Sequence, residues 1–169
     1  NLLMELIWFR KWHDEATEEE CVKIAGLFVS QIHTRSPDFG FSPLDLACTD
    51  DASPKMVDFL LKNKANPNVE SNSGRTPLYS AVQCHNPMEI VPLLLAAGAD
   101  AKRKDILMHV YTQGRADVLD LLFRSTPNLH TIIGFNGPTL PSVTHPDYLG
   151  MISVAKKHKA RTGLIGPEI

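Results

Sequence analysis

The 169-residue sequence predicts an all-α solenoid of stacked helix-turn-helix units with short projecting hairpins and degenerate capping units at its ends. Three observations carry that prediction. Gly40-Phe41-Ser42-Pro43-Leu44-Asp45-Leu46-Ala47 superimposes on Gly74-Arg75-Thr76-Pro77-Leu78-Tyr79-Ser80-Ala81 at an offset of 34 residues. The register persists downstream, with Val57 falling on Val91, Leu60-Leu61 on Leu94-Leu95 and Ala65-Asn66 on Ala99-Asp100. Inside each unit the signals run helix, turn, helix, extended hairpin. A period of this length marks a repeat array, in which each unit buries its apolar face by stacking on a neighbour.

The expected organisation is one domain over residues 1–162 followed by a tail at 163–169. Residues 1–36 read as a degenerate first unit or cap. Leu2, Leu3, Leu6, Ile7 and Phe9 form a helical stripe that ends near His13-Asp14. Thr17-Glu18-Glu19-Glu20 has capping-box spacing and opens a helix bearing Val22, Ile24, Leu27, Phe28 and Ile32. Trp8 and Trp12 stand one turn apart; they either pack the cap or a neighbouring domain, or form an exposed docking ridge.

Residues 37–70 and 71–103 form the two better-matched units. Ser42 or Thr76 caps the first helix with its hydroxyl, and Pro43 or Pro77 then takes the first helical position, where no backbone donor is needed. In the second of these units Asn86-Pro87-Met88-Glu89 has capping-box spacing and starts the second helix. Ile90, Val91, Leu94 and Leu95 give that helix one broad apolar face, and Gly98 closes it in the left-handed conformation. Lys64 occupies the position of Gly98 in the preceding unit, which implies a strained or differently ended helix. Pro92 lies inside a helix and deletes one backbone bond, at a cost of up to ~3 kcal/mol that an early-turn position would soften.

Residues 104–130 read as a third unit with a truncated hairpin, entering at Leu107 and continuing through Gly114-Arg115-Ala116-Asp117-Val118-Leu119. Residues 125–139, rich in Gly, Pro, Thr and Asn, read as a long irregular connection. Residues 131–162 read as a degenerate carboxyl-terminal cap, from Asn136-Gly137-Pro138-Thr139-Leu140 with Met151, Ile152, Val154 and Ala155 at second-helix spacing.

Thr76-Pro77-Leu78 with Ala81, followed by Leu93-Leu94-Leu95-Ala96-Ala97-Gly98-Ala99-Asp100, resembles the ankyrin repeat. Ser42-Pro43-Leu44 with Leu60-Leu61-Lys62-Asn63-Lys64-Ala65-Asn66 resembles it more loosely, and the match is specific over about residues 40–124. The histidine that usually follows the Thr-Pro-Leu triplet is replaced by Asp45, Tyr79 and Met108, so its inter-repeat bonds are absent or rebuilt.

Composition narrows the chemistry. With 17 Lys and Arg against 19 Asp and Glu, the net charge is −2, which argues against a dedicated nucleic-acid binder. Hydrophobic residues at 43% and charged residues at 21% describe a chain neither disordered nor membrane-spanning in bulk. Cys21, Cys48 and Cys84 match neither a disulfide framework nor a CxxC metal site, which favours a reducing intracellular compartment, cytoplasm or nucleus. Asn1 is not an initiator methionine, so the chain reads as a fragment or processed product.

No catalytic, cofactor or metal site is expected. The seven histidines lack ligand spacing and read as isolated surface or capping residues, and adjacent Cys84 and His85 point apart. No glycine-rich phosphate loop occurs, and Asp50-Asp51 reads as a solvated turn pair. Lys156-Lys157-His158-Lys159-Ala160-Arg161, with Lys102-Arg103-Lys104, could draw an acidic partner, a phosphoinositide surface or nucleic acid, but reads first as a solvated cap opposing a helix dipole.

What the resemblance implies is a non-catalytic module that binds another protein or an extended peptide through hairpin tips and exposed first-helix positions, with no small-molecule substrate. The alternative is the ankyrin portion of a larger enzyme, channel or effector. Carried over by alignment, the contact positions are Phe41, Asp45, Leu46, Thr49 and Asp50; then Arg75, Tyr79, Ser80, Gln83 and Cys84; then Lys104, Met108, His109, Thr112 and Gln113. Phe41, Tyr79 and Arg75 are the expected anchors, because aromatics and arginine dominate interface energies. Asn68 matches the hairpin asparagine that some family members present for hydroxylation.

Overall fold

The structure, a computed structural model, describes residues 1–12, 17–50 and 52–126, and beyond those 129, 150, 153, 154, 157 and 158; for 9–12 it describes the backbone alone. The end of the first stripe at His13-Asp14, the Trp12 side chain, Asp51, nearly all of the 125–139 connection, most of the 131–162 cap and the 163–169 tail lie outside the described residues. Among the described residues the α-helices run in order α1 (Leu2–Trp12), α2 (Glu18–Ala25), α3 (Pro43–Ala47), α4 (Pro54–Lys62), α5 (Pro77–Ala81), α6 (Pro87–Ala96), α7 (Lys104–Thr112) and α8 (Ala116–Ser125). A 3-10 helix, Gly26–Gln31, follows α2. No strand occurs among the described residues.

The chain forms two compact units, Asn1–Asp100 and Ala101–Ile169. In the first, α1, α3 and α5 make one row of successive contacts, while α2, α4 and α6 make a second; α3 also packs on α4 and α5 on α6. That is a two-row stack of helix pairs. Leu44, Leu60, Leu78, Ile90 and Leu94 are fully buried within it. In the second unit α7 packs on α8, with Ile106, Leu119, Leu122 and Leu129 buried.

The short helices form because their ends are satisfied. The Ser42 hydroxyl accepts the Asp45 N–H at 3.1 Å, and the Thr76 hydroxyl accepts the Tyr79 N–H at 3.4 Å. Pro43, Pro54 and Pro77 each follow the cap directly, so a residue without a donor sits where none is used. Ser53 caps α4 by accepting the Met56 N–H at 3.2 Å. Thr17 and Glu20 form the expected reciprocal box on α2.

Three expectations are corrected. Asn86 does not cap α6: its amide donates to the Ala52 carbonyl at 3.3 Å, and its oxygen accepts from the Cys84 thiol at 3.7 Å. Joining two loops uses the side chain that would have closed the box. The helix opened by Thr17 does not run on to Ile32; it ends at Ala25, and the 3-10 helix kinks at Phe28. Burial there follows Cys21, Ala25 and Ile32, while Ile24 is exposed and Leu27 is 78% exposed. Cys21 and Ala25 are small, buried and one turn apart on α2, which packs on α4. Finally, Pro92 is the sixth residue of α6, past the first turn, so no early-turn position softens the lost backbone bond.

Among the α1 side chains described, Leu3, Met4 and Ile7 are buried, whereas Leu2 is exposed and Trp8 is 56% exposed. Gly98, just beyond the end of α6, has φ 89°, and the aligned Lys64 adopts φ 68° despite its Cβ. The predicted strain at Lys64 is therefore present.

Candidate protein-binding surface

Two turns of the first unit place the exposed side chains that matter. In the first, the Ser36 N–H donates to the Phe41 carbonyl at 2.8 Å, the Gly40 N–H donates to the Ser36 carbonyl at 2.9 Å, and the Ser36 hydroxyl accepts the Phe41 N–H at 3.0 Å. The second repeats the device. The Ser71 N–H donates to the Arg75 carbonyl at 2.8 Å, and the Ser71 hydroxyl accepts the Arg75 N–H at 3.2 Å.

The turns are tied to each other. The Asn72 N–H donates to the Phe39 carbonyl at 2.9 Å, and the Asn72 amide donates to the Asp38 carbonyl at 3.1 Å. Arg35 donates through Nε to the Gly40 carbonyl at 3.0 Å and through Nη2 to the Glu70 carbonyl. Gly40, at φ 68°, is required here twice over: its backbone is left-handed, and a Cβ would collide with the Asn72 side chain.

On this frame Phe39 stacks on Phe41, ring centroids 5.9 Å apart at 28°, with Phe39 65% exposed and Phe41 half-buried. The Arg75 guanidinium lies 5.1 Å over the Tyr79 ring, a cation–π arrangement that orients both. Arg75 is exposed and Tyr79 half-buried. Of the expected positions, Leu46, Thr49 and Ser80 are half-buried, and Asp50 and Gln83 are exposed.

Asp45 is not a surface residue. It is 1% exposed, with Oδ2 accepting the Ser42 N–H at 2.8 Å and the Ser42 hydroxyl at 2.7 Å. Its Oδ1 is buried without a hydrogen-bond partner. Burial raises the carboxyl above its ordinary value, while the Ser42 bonds and Arg35 act the other way. Cys84 is also buried, so it too leaves the set of accessible contacts. Phe39 was missed by the alignment of first-helix positions. Its signal was local: a Pro-Asp-Phe-Gly turn leaves the residue before the glycine at the tip.

Further seams use side chains as main-chain bridges. The Asn68 amide donates to the Gly98 carbonyl at 2.9 Å, and its oxygen accepts the Asp100 N–H at 2.8 Å. At another loop the His85 N–H donates to the Asp50 carbonyl at 3.1 Å, and Nδ1 lies 3.1 Å from the same oxygen. Buried Cys84 and exposed His85 diverge, as expected of adjacent residues. Burial, reinforced by Asp45 and Cys84, pushes the Cys48 thiol well up, which keeps it protonated and a poor nucleophile.

In the second unit Lys104 and Gln113 are exposed, Met108 is 44% exposed, and His109 is half-buried. Arg103 forks onto Asp105 at 3.0 and 3.2 Å, and Arg115 repeats the geometry on Asp117. Asp120 collects Lys157 at 3.1 Å, His158 at 2.8 Å and Arg124. His158 stacks on Phe123, centroids 5.0 Å apart, and is buried, so it is neither isolated nor a surface histidine. Lys156, Lys159, Ala160 and Arg161, the rest of the basic cluster, lie outside the described residues.

Among the described residues no three His, Cys, Asp or Glu side chains converge as metal ligands, and no helix is long and apolar enough to cross a membrane. The family model for ankyrin repeats (three copies) matches residues 15–105 and, in a second placement, residues 46–131. No curated protein matches the chain, and neither does any solved structure.

Proposed function

The chain belongs to the ankyrin-repeat family, and from that premise we propose that it is a non-catalytic scaffold or adaptor holding a partner protein or an extended peptide on its hairpin turns and exposed first-helix positions. Ankyrin repeats are generally protein–protein interaction modules and typically non-catalytic. The single observation that supports the specific reading is the joined pair of turns in the first unit. It presents Phe39, Phe41, Arg75 and Tyr79 on a frame fixed by main-chain hydrogen bonds. Side chains held in place before binding lose little entropy on association, and aromatic residues and arginine contribute most where they are pre-positioned.

In the second unit, taken by itself, Lys104, Met108, His109 and Gln113 are the proposed contacts. The partner is protein rather than nucleic acid or membrane, as the net charge of −2 supports. Three buried cysteines, none in a disulfide among the described residues, support a reducing compartment, cytoplasm or nucleus.

The test compares wild type with Arg75→Glu combined with Tyr79→Ala in affinity capture from a lysate of the source, read by mass spectrometry. Loss of a discrete set of partners by the folded variant supports this surface. Identical partner profiles for the two proteins would remove it.

A further inference from the structure

We infer that Phe39 and Arg75 act as a two-part anchor for a partner segment that carries an Asp or Glu side chain next to a large apolar one. This rests on the interaction-module reading and names the partner chemistry of that surface.

The apolar half is Phe39. The residue is 65% exposed although the ring of Phe41 stacks on it with centroids 5.9 Å apart. An aromatic at a turn tip, with its backbone held by the Asn72 N–H at 2.9 Å, is a rigid apolar surface with one face left to water.

The charged half is Arg75. Tyr79 occupies one face of its guanidinium at 5.1 Å, and among the described residues no carboxylate pairs with it. Stacking in this way uses the flat face of the guanidinium, while its N–H edges remain suited to the two oxygens of a carboxylate. The two halves sit on adjoining turns, because Asn72, bonded to Phe39, belongs to the same turn as Arg75.

Charge limits the occupant further. The exposed Asp38 and Glu70 belong to the same neighbourhood of turns, adjoining Phe39 and Ser71 in the chain. With Arg35 also joining these turns, the two carboxylates leave the neighbourhood balanced in charge and not basic, which disfavours a polyanion such as nucleic acid or an anionic bilayer but tolerates one acid bound by Arg75 at short range.

The experiment selects random dodecapeptides against the immobilised full chain, then measures a selected fluorescent peptide against variants. Expected is enrichment of an Asp or Glu close in sequence to Phe, Trp, Leu or Met. Arg75→Glu should move the enriched charge from acidic to basic, and Phe39→Ser should weaken the selected peptide by roughly tenfold or more. Circular dichroism and thermal midpoints check folding. If Phe39→Ser fails to fold, the charge switch with Arg75→Glu decides alone. Peptides without the acidic–apolar pairing, a pairing that survives both substitutions, or no enriched peptide overturn the anchor. Peptides that resist both substitutions but are lost with Gln83→Ala or Tyr79→Ala overturn it while leaving the broader interaction reading intact.

Discussion

The carboxylate of Asp45 closes on Ser42 from inside the protein: Oδ2 takes both the Ser42 hydroxyl at 2.7 Å and its N–H at 2.8 Å, while Oδ1 is buried without a partner. One side chain therefore starts α3 and at the same time leaves an unsolvated acceptor in the core. Both effects can be measured.

Asp45→Ala strands the buried Ser42 N–H and should cost about 1–3 kcal/mol in urea unfolding. Asp45→Asn retains an acceptor and should cost less. Burial raises the folded carboxyl above its unfolded value, so the native state holds the proton more tightly. The contribution of Asp45 is then least favourable above the folded value and grows as pH falls through it. Wild type should gain on Asp45→Asn as pH falls through the folded value toward the unfolded one; a difference that stays constant with pH would contradict this.

Lys64 and Gly98 fill the same place in successive units, at φ 68° and 89°. A left-handed conformation costs a non-glycine residue roughly 1–2 kcal/mol, part of which glycine returns as unfolded-state entropy. Lys64→Gly should raise stability by about 0.5–1 kcal/mol. Gly98→Ala should lower it, although nothing lies within 4 Å of the added Cβ. Chemical denaturation of both variants distinguishes backbone strain from crowding.

Asp117 accepts a two-point bond from Arg115 and bonds from the amides at the start of α8. These hold its carboxyl below the ordinary range, so its stabilisation is present above the unfolded value and disappears as pH falls through the folded one. The pair is partly exposed, and solvent screening limits Asp117→Asn to a loss of a few tenths to about 1 kcal/mol. The loss should fade on acidification, when wild type itself becomes protonated. An equal loss at all pH values would rule out the charge as its source.

Asp120 binds Lys157, His158 and Arg124. Its own burial would raise the carboxyl, but the His158 and Lys157 bonds, with Arg124, hold it lower. Asp120→Ala removes the shared anion and should speed tryptic cleavage after Lys157 several-fold while the helical signal from α7 and α8 persists. Unchanged cleavage would show that Phe123 stacking alone retains His158.

The repeat frame was legible because its signals are short-range: a capping hydroxyl, a proline behind it and an apolar stripe of fixed period. Ser42-Pro43 and Thr76-Pro77 needed no knowledge of neighbours. The surface was less legible because exposure depends on what stacks alongside. Asp45 and Tyr79 align, yet Ser42 and burial draw Asp45 inward while Arg75 covers Tyr79. The α2 pattern misleads for a related reason: the larger apolar residues mark one stripe, whereas the smaller Cys21 and Ala25 are the ones buried and Ile24 and Leu27 are exposed. Asn86 matched a local motif and was diverted by a distant carbonyl.

The bridges from Arg35 to Glu70, Asn68 to Gly98 and Asn86 to Ala52 fasten one unit to the next with side chains rather than with a shared sheet. Under tension such fastenings are loaded in sequence, so a pulled molecule should lengthen in discrete increments as individual helix pairs peel away, and on release it should re-close from whichever pair remains.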